Sequence, residues 1–313
     1  MDEGNDGNGH DMEQQHLVFL RLQYLSYGLC MSMCLSCVVL LRPGVLAAPY
    51  GRYTQHATFG WNWGADIPPQ VAWSVQECPS MLVPLYYYYY FCDGNTTRTS
   101  VTNTNTVLLW YFIFHYFHRT IIYPCRIRHG KPTKVGVVVL AFCFTSINGY
   151  IQGRSLTLPP PSNTNEQNHT LQSPHFMIGS LLFWWGLYIN WSSDTILRNL
   201  RTATATTTTT KDGNNINIGS TGSPSSATTT GDGRYQIPYG GWFVYVSCAN
   251  YFGEILEWIG FAIACQGSIP ATCFAINTIL ALVPRAYRHH HWYLTKFEQY
   301  QELKRTAIIP LIL

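Results

Sequence analysis

Residues 240–265 read GGWFVYVSCANYFGEILEWIGFAIAC, an apolar and aromatic run of membrane-crossing length that carries two glutamates. A hydrocarbon layer about 30 Å thick takes roughly 20 apolar residues as helix. An ionised side chain at that depth costs about 2.5–3.5 kcal/mol or more, so a glutamate there marks a functional site by default. Asn250, Glu254 and Glu257 fall at i, i+4 and i+7, one face of a helix. The run predicts a helix with lipid on one side and, on the other, something that needs carboxylates.

The rest of the chain agrees with a membrane setting. Charged residues make up 11% of the 313 positions, against about 25% in an ordinary soluble domain. A formal net charge of +3 is too weak to argue for nucleic acid as a partner. The ten cysteines are scattered without paired spacing, as expected of small buried apolar residues. Residues 1–15, MDEGNDGNGHDMEQQ, lack the basic start of a signal peptide and predict a disordered acidic tail ahead of one membrane domain, 16–313. The Thr/Gly/Ser/Asn tract at 202–233 predicts a loop within that domain.

Seven apolar segments are long enough to be spans: 18–47, 71–92, 107–123, 135–152, 175–190, 242–265 and 269–283, the last bounded by Pro270 and Pro284. Basic residues gather after the third (Arg126, Arg128, Lys131, Lys134), fifth (Arg198, Arg201, Lys211) and seventh (Arg285, Arg288, Lys296, Lys304, Arg305). An all-α bundle of seven transmembrane helices places these loops on one side, which the positive-inside rule makes cytosolic. The N-terminus is then lumenal and the C-terminus cytosolic. Sequons at Asn95 and Asn168 fall on the lumenal side, and a third at Asn190 falls at a cytosolic boundary.

Polar stripes recur in these spans. Tyr116, Arg119 and Tyr123 share one helix face; so do Asn190, Asp194 and Arg201, and so do Arg285, His289 and Tyr293. Gln76 and Glu77 interrupt the second span beside Pro79. Interhelical hydrogen bonding alone accounts for any single stripe. Together, with arginines beside carboxylates, they favour one shared ligand cavity. The three consecutive histidines at 289–291 point in different directions on a helix, so no metal site is expected.

The segments AWSVQECPS, HYFHRTIIYP, IRHGKPT, SDTILRNLR, YQIPYGGWFVYVSCANYFGEILEWIGFA and RAYRHHHWYLTKFEQY, with IIPLIL at the end, resemble the steroid 5α-reductase (3-oxo-5α-steroid 4-dehydrogenase) family. They run in order from about Tyr50 to the C-terminus. The resemblance implies seven helices in the endoplasmic reticulum membrane, NADPH bound from the cytosol, and reduction of the Δ4 double bond of a 3-oxosteroid. It implies that Glu77 and Tyr116 act at the steroid C3 carbonyl, with Trp73 and Gln76 nearby. Arg119, Tyr123, Lys131, Asn190, Asp194, Arg201, Asn250, Glu254, Arg285, His289 and Tyr293 would line the NADPH site, and Glu257 would be structural.

The implied chemistry has a physical logic. Hydride attack at C5 of the enone develops negative charge on the C3 oxygen, which the Tyr116 hydroxyl and a protonated Glu77 would stabilise; protonation at C4 completes the reduction. Gln236, Ser192 and the Thr-rich tract depart from the family's pattern, whereas the carboxylates, Tyr116 and Asn250 are intact. Polyprenol and enoyl-CoA reductases share the C-terminal part of the resemblance and are the nearest alternative. A non-enzymatic seven-helix receptor or transporter matches the span count but gives no reason for the clustered carboxylates and arginines.

Overall fold

The computed structural model describes residues 14, 16–29, 31, 63–92, 103–128, 130–157, 170–209 and 235–312. Helix α1 occupies 16–29. Next come α2 (Pro69–Cys92) and α3 (Asn103–Phe117), which passes through a π turn at His118–Ile122 into the short α4 (Tyr123–Cys125). Four long helices follow: α5 (Val135–Thr157), α6 (Pro174–Thr209), α7 (Ala249–Ala264) and α8 (Ile269–Lys296). Among the described residues, extended structure includes a two-residue antiparallel pair, β1 (Asp66–Ile67) with β2 (Thr133–Lys134), and a parallel bridge between Val246 and Thr306.

Three expected boundaries move. The helix expected from 242 begins at Ala249, because Gly240 and Gly241 take positive φ (87° and 51°) and a 3-10 turn at Gly241–Val244 comes first. The helix expected to end near Pro284 continues to Lys296. A proline there removes one backbone bond, but its φ remains helical. Residues 202–209, expected as loop, extend α6, since propagating an existing helix avoids the nucleation cost. The rest of that tract, residues 1–13, most of the segment 32–47, and the sequons at Asn95 and Asn168 lie outside the described residues.

Helices α5 and α8 are long and apolar enough to cross a membrane. Others carry exposed apolar stripes at helical spacing. On α2 the stripe is Val71, Val75, Leu82, Tyr86 and Tyr89; along α3 and the π turn it is Trp110, Phe114, Phe117 and Ile121. On α6 it is Met177, Leu181, Trp184 and Tyr188, with Leu181 72% exposed. Contiguous apolar surface of this kind marks a face made for lipid or for another protein.

The described chain forms two compact units: residues 1–185 with 255–281, and residues 186–254 with 282–313. In the first, α2 and α5 approach closely because α5 offers glycines to the prolines of α2. A Cβ on Gly149 would meet the Pro79 carbonyl at 2.8 Å, and one on Gly153 would meet Pro84 Cα at 2.8 Å. Thr145 Oγ1 donates to the Gln76 carbonyl (2.6 Å), and Ser80 Oγ donates to the Thr145 carbonyl (2.9 Å). Gly260 of α7 lies against α6 so tightly that a Cβ would meet the Phe183 amide at 2.4 Å. Small residues that let backbones meet are how helices associate when lipid supplies no hydrophobic drive between them.

The second unit repeats the device. Gly253 of α7 lies where a Cβ would meet the Asn190 amide at 2.5 Å. The chain end is tied down beside it: the amides of Ser247 and Cys248 donate to the carbonyls of Thr306 and Ala307 at 2.9 and 3.1 Å. Ile237, Tyr293, Phe297 and Tyr300 form a core cluster.

Candidate functional site

In the first unit the predicted residues converge on α2. Trp73 and Glu77 stand one turn apart on its inward side, and Glu77 is buried. Arg119 Nη2 donates to Glu77 Oε1 at 3.3 Å, and its guanidinium lies over the Trp73 ring, 4.5 Å from the centroid. Tyr123 meets Trp73 edge-on at 5.0 Å. Gln76 Nε2 also reaches Glu77 Oε1, at 3.5 Å.

The π turn sets this arrangement. Tyr123 donates its amide to the His118 carbonyl, five residues back. Pro124 has no N–H to offer Thr120, whose carbonyl instead accepts from Ser74 Oγ of α2 at 2.9 Å. The wider turn changes the face on which Arg119 and Tyr123 emerge. The sequence places them with Tyr116 by the geometry of a straight helix; the structure brings them to Trp73 and Glu77 through the widened one.

Tyr116 is buried, its hydroxyl accepting from Asn148 Nδ2 of α5 at 3.4 Å. Phe112 (4.7 Å) and Trp258 (6.1 Å) face its ring. Asn148 Oδ1 in turn accepts from Gln152 Nε2 at 3.4 Å, and the same nitrogen donates to the Pro270 carbonyl at 2.9 Å. Beside Tyr116, His115 Nδ1 meets Glu257 Oε1 at 2.6 Å, with the histidine 2% and the glutamate 0% exposed. Trp258 closes this pair, 4.5 Å from Phe274 and 4.6 Å from His115. Lys131 is exposed, in the turn before β2.

The second unit contains most of the residues predicted for a cofactor, and three of them are in contact. Asn190 Nδ2 donates to the Asn250 carbonyl at 3.0 Å, and Asn250 Nδ2 donates to Asp194 Oδ1 at 3.2 Å. Glu254 is half-buried one turn along α7, and Arg285 is exposed on α8. His289 Nε2 lies 3.5 Å from the Tyr251 hydroxyl. Tyr293 stacks on Tyr300 (4.9 Å) inside the core cluster. The Arg201 side chain lies outside the described residues. Among the described residues no three His, Cys, Asp or Glu side chains gather as a metal site.

Several participants carry no motif of their own. His115 precedes the predicted tyrosine, yet its partner lies 142 residues away, and no local spacing announces the pair. Asn148 and Gln152 share a face of α5, at i and i+4, and that spacing could have flagged them. In the second unit Tyr300 donates to Ser247 Oγ at 2.6 Å, and that oxygen lies 2.6 Å from His290 Nδ1. Burial pushes the Tyr300 phenol up from its usual range, against the opposing pull of Ser247 and Arg305, which keeps it a donor.

Comparison with known proteins adds independent findings. The family profile described as 3-oxo-5-alpha-steroid 4-dehydrogenase matches residues 131–220 and 212–313. The mouse (Mus musculus) protein 3-oxo-5-alpha-steroid 4-dehydrogenase 1 is 39% identical over 269 residues, covering 86% of this chain and 89% of its own. Its human (Homo sapiens) counterpart is 35% identical over 291 residues, covering 93% and 95%. Steroid 5-alpha-reductase DET2 of Arabidopsis thaliana is 32% identical over 275 residues, covering 85% and 88%. The profile begins after Tyr116, whereas these relatives align with most of the chain.

Proposed function

This chain belongs to the 3-oxo-5-alpha-steroid 4-dehydrogenase family of oxidoreductase enzymes, and from that premise we propose that it reduces the Δ4 double bond of a 3-oxo-Δ4-steroid, with NADPH, to the 5α-dihydro product. The observation that carries the reading is the buried Tyr116 hydroxyl, oriented by Asn148, on a helix packed against the one bearing Glu77.

The donor set suits a nicotinamide nucleotide. Asn190, Asp194 and Asn250 form an amide–carboxylate array of the kind that recognises a carboxamide and ribose hydroxyls. Exposed Arg285 provides a fork for phosphate. Glu254, His289, Tyr293 and Arg201 complete the set within the second unit; Arg119, Tyr123 and Lys131 of the first unit are proposed for the nucleotide on the family resemblance alone. NADPH, when bound, supplies the hydride that C5 of the enone receives.

The chain's own residues manage the charge. As C5 gains hydride, negative charge builds on the C3 oxygen, and the Tyr116 O–H donates to it inside a site closed by Phe112 and Trp258. A preorganised donor in such a setting contributes about 2.7–4 kcal/mol to a transition state. Glu77 is the second donor. It serves in its protonated form, which requires Arg119 to release the carboxylate it now holds. The planar ring system of the steroid lies beside Trp73 and Gln76, and a proton delivered to C4 completes the reduction.

The protein acts as a multi-pass protein of the endoplasmic reticulum membrane, its N-terminus lumenal and its C-terminus cytosolic. The apolar helices α5 and α8 and the exposed stripes on α2, α3 and α6 support the membrane setting; the compartment rests on the family resemblance and the orientation on the distribution of basic residues. Membranes containing the protein are incubated with NADPH and progesterone or testosterone, and products are read by mass spectrometry. A 5α-reduced product is expected. Tyr116→Phe should lower its rate about 10²–10³-fold, and Glu77→Gln should lower it less, because an amide still donates. Reduction of a polyprenol or enoyl-CoA in place of either steroid would refute the assigned substrate.

A further inference from the structure

Asn277 of α8 sits where an apolar side chain would be expected. It is 1% exposed, and among the described residues neither its Nδ2 nor its Oδ1 has a hydrogen-bond partner. Leaving both ends of a buried amide unmade is among the more costly things a folded chain can retain. Asn277 lines a narrow gap together with Ser26 and Leu29 of α1, Asn148 and Gln152 of α5, and Phe274. The gap is too narrow in this conformation for a water molecule, so solvent does not satisfy the amide.

The other polar groups around the gap are already engaged. Ser26 Oγ donates to the Leu22 carbonyl at 2.7 Å, and Gln152 donates to the Pro270 carbonyl at 2.9 Å. Asn148 donates to the Tyr116 hydroxyl, so one residue is shared by the lining of the gap and the proposed carbonyl site. Of these lining residues, Asn277 keeps both a donor and an acceptor open.

We propose that this gap is a subsite for a hydroxyl group carried by the lipid substrate, and that Asn277 is the residue that recognises it. A hydroxyl offers one donor and one acceptor, the complement of the amide's Oδ1 and Nδ2. A ketone would leave Oδ1 unmet. A carboxylate would enter a gap whose lining has no cation to balance it. Occupation requires the walls to part, and the α1 wall is held through Leu22 against Ile151. The identity of the lipid as a 3-oxo-Δ4-steroid rests on the reductase reading; the polar subsite rests on Asn277.

The test compares 4-androsten-3-one, which has no second oxygen, with derivatives hydroxylated singly on each of the remaining rings. Binding to the purified full-length protein is followed by quenching of its tryptophan fluorescence, and NADPH-dependent reduction is measured in parallel. At least one hydroxylated derivative should bind about tenfold to a hundredfold more tightly than the parent. Asn277→Leu should bind the two alike; Asn277→Ala serves in its place should the leucine variant not fold. Equal binding of the parent and every derivative by the wild type, or a preference that survives in the variant, overturns the subsite. A preference that disappears in the variant, without reduction of any steroid, supports the subsite and defeats the reductase reading.

Discussion

In the first unit the carboxylates within the helices are sealed: Glu257 and His115 are buried against each other, and Glu77 is covered by Arg119, Gln76 and Trp73. In the second unit Asn190 and Asp194 are equally buried, but Glu254 and His289 are half-buried and Arg285 stands exposed. The difference matches two tasks. A group that stabilises charge developing on an apolar substrate gains from a low-dielectric, water-free setting. A site that exchanges a charged nucleotide with water on every turnover needs hydrated groups at its rim. Sealed chemistry in one unit and open exchange in the other is the division the proposed reaction requires.

The sharpest way to break this contrast is at the most deeply sealed group. Glu257→Ala removes the buried carboxylate that His115 meets, and breaking a buried pair from one side costs about 3–5 kcal/mol. The thermal midpoint of the purified protein should fall steeply, and adding His115→Ala should lower it by less than the sum of the single changes. Strict additivity in that cycle would mean that the pair is not a coupled unit.

Asn250→Ala tests the open side. It removes the donor to Asp194 and an amide from the proposed cofactor array. Losing one such contact costs about 1–2 kcal/mol, so the KM for NADPH should rise about tenfold while the KM for steroid holds. A rise in the steroid KM alone would reverse the assignment of the two units. The smallest effect is expected at Asp66→Asn. The Asp66 carboxylate lies 3.1 Å from Lys134, but the pair is largely exposed. A melting change corresponding to less than about 1 kcal/mol, shrinking further with added salt, would confirm that surface pairing contributes little here.

Much of the molecule was legible in its residues. Long apolar segments announced α2, α5, α6, α7 and α8, because a helix in lipid must satisfy its own backbone and leaves a continuous apolar signature. Trp73, Gln76 and Glu77, expected at the steroid, lie together, but with Arg119, which was expected at the cofactor; Asn190, Asp194 and Asn250 are also in contact. Tyr293 was predicted to line the cofactor site, and the structure gives its ring a stack on Tyr300. The π turn was not legible, since it depends on Ser74 of another helix accepting the role that Pro124 vacates. The helical spacing of Arg285, His289 and Tyr293 was legible, but not that α8 reaches them unbroken through Pro284.

The sequence by itself determined the helical, apolar character of the chain, the position of its carboxylates within apolar runs, and the family to which those runs belong. These are properties of local composition and order, which the chain carries whether or not it is folded. Only the tertiary structure decided that Glu257 pairs with His115, that Arg119 covers Glu77, and that Asn277 faces a narrow gap with its amide unmet among the described residues. Each of those depends on side chains from helices far apart in the chain. Whether a buried polar group is satisfied is a property of what the fold brings to it.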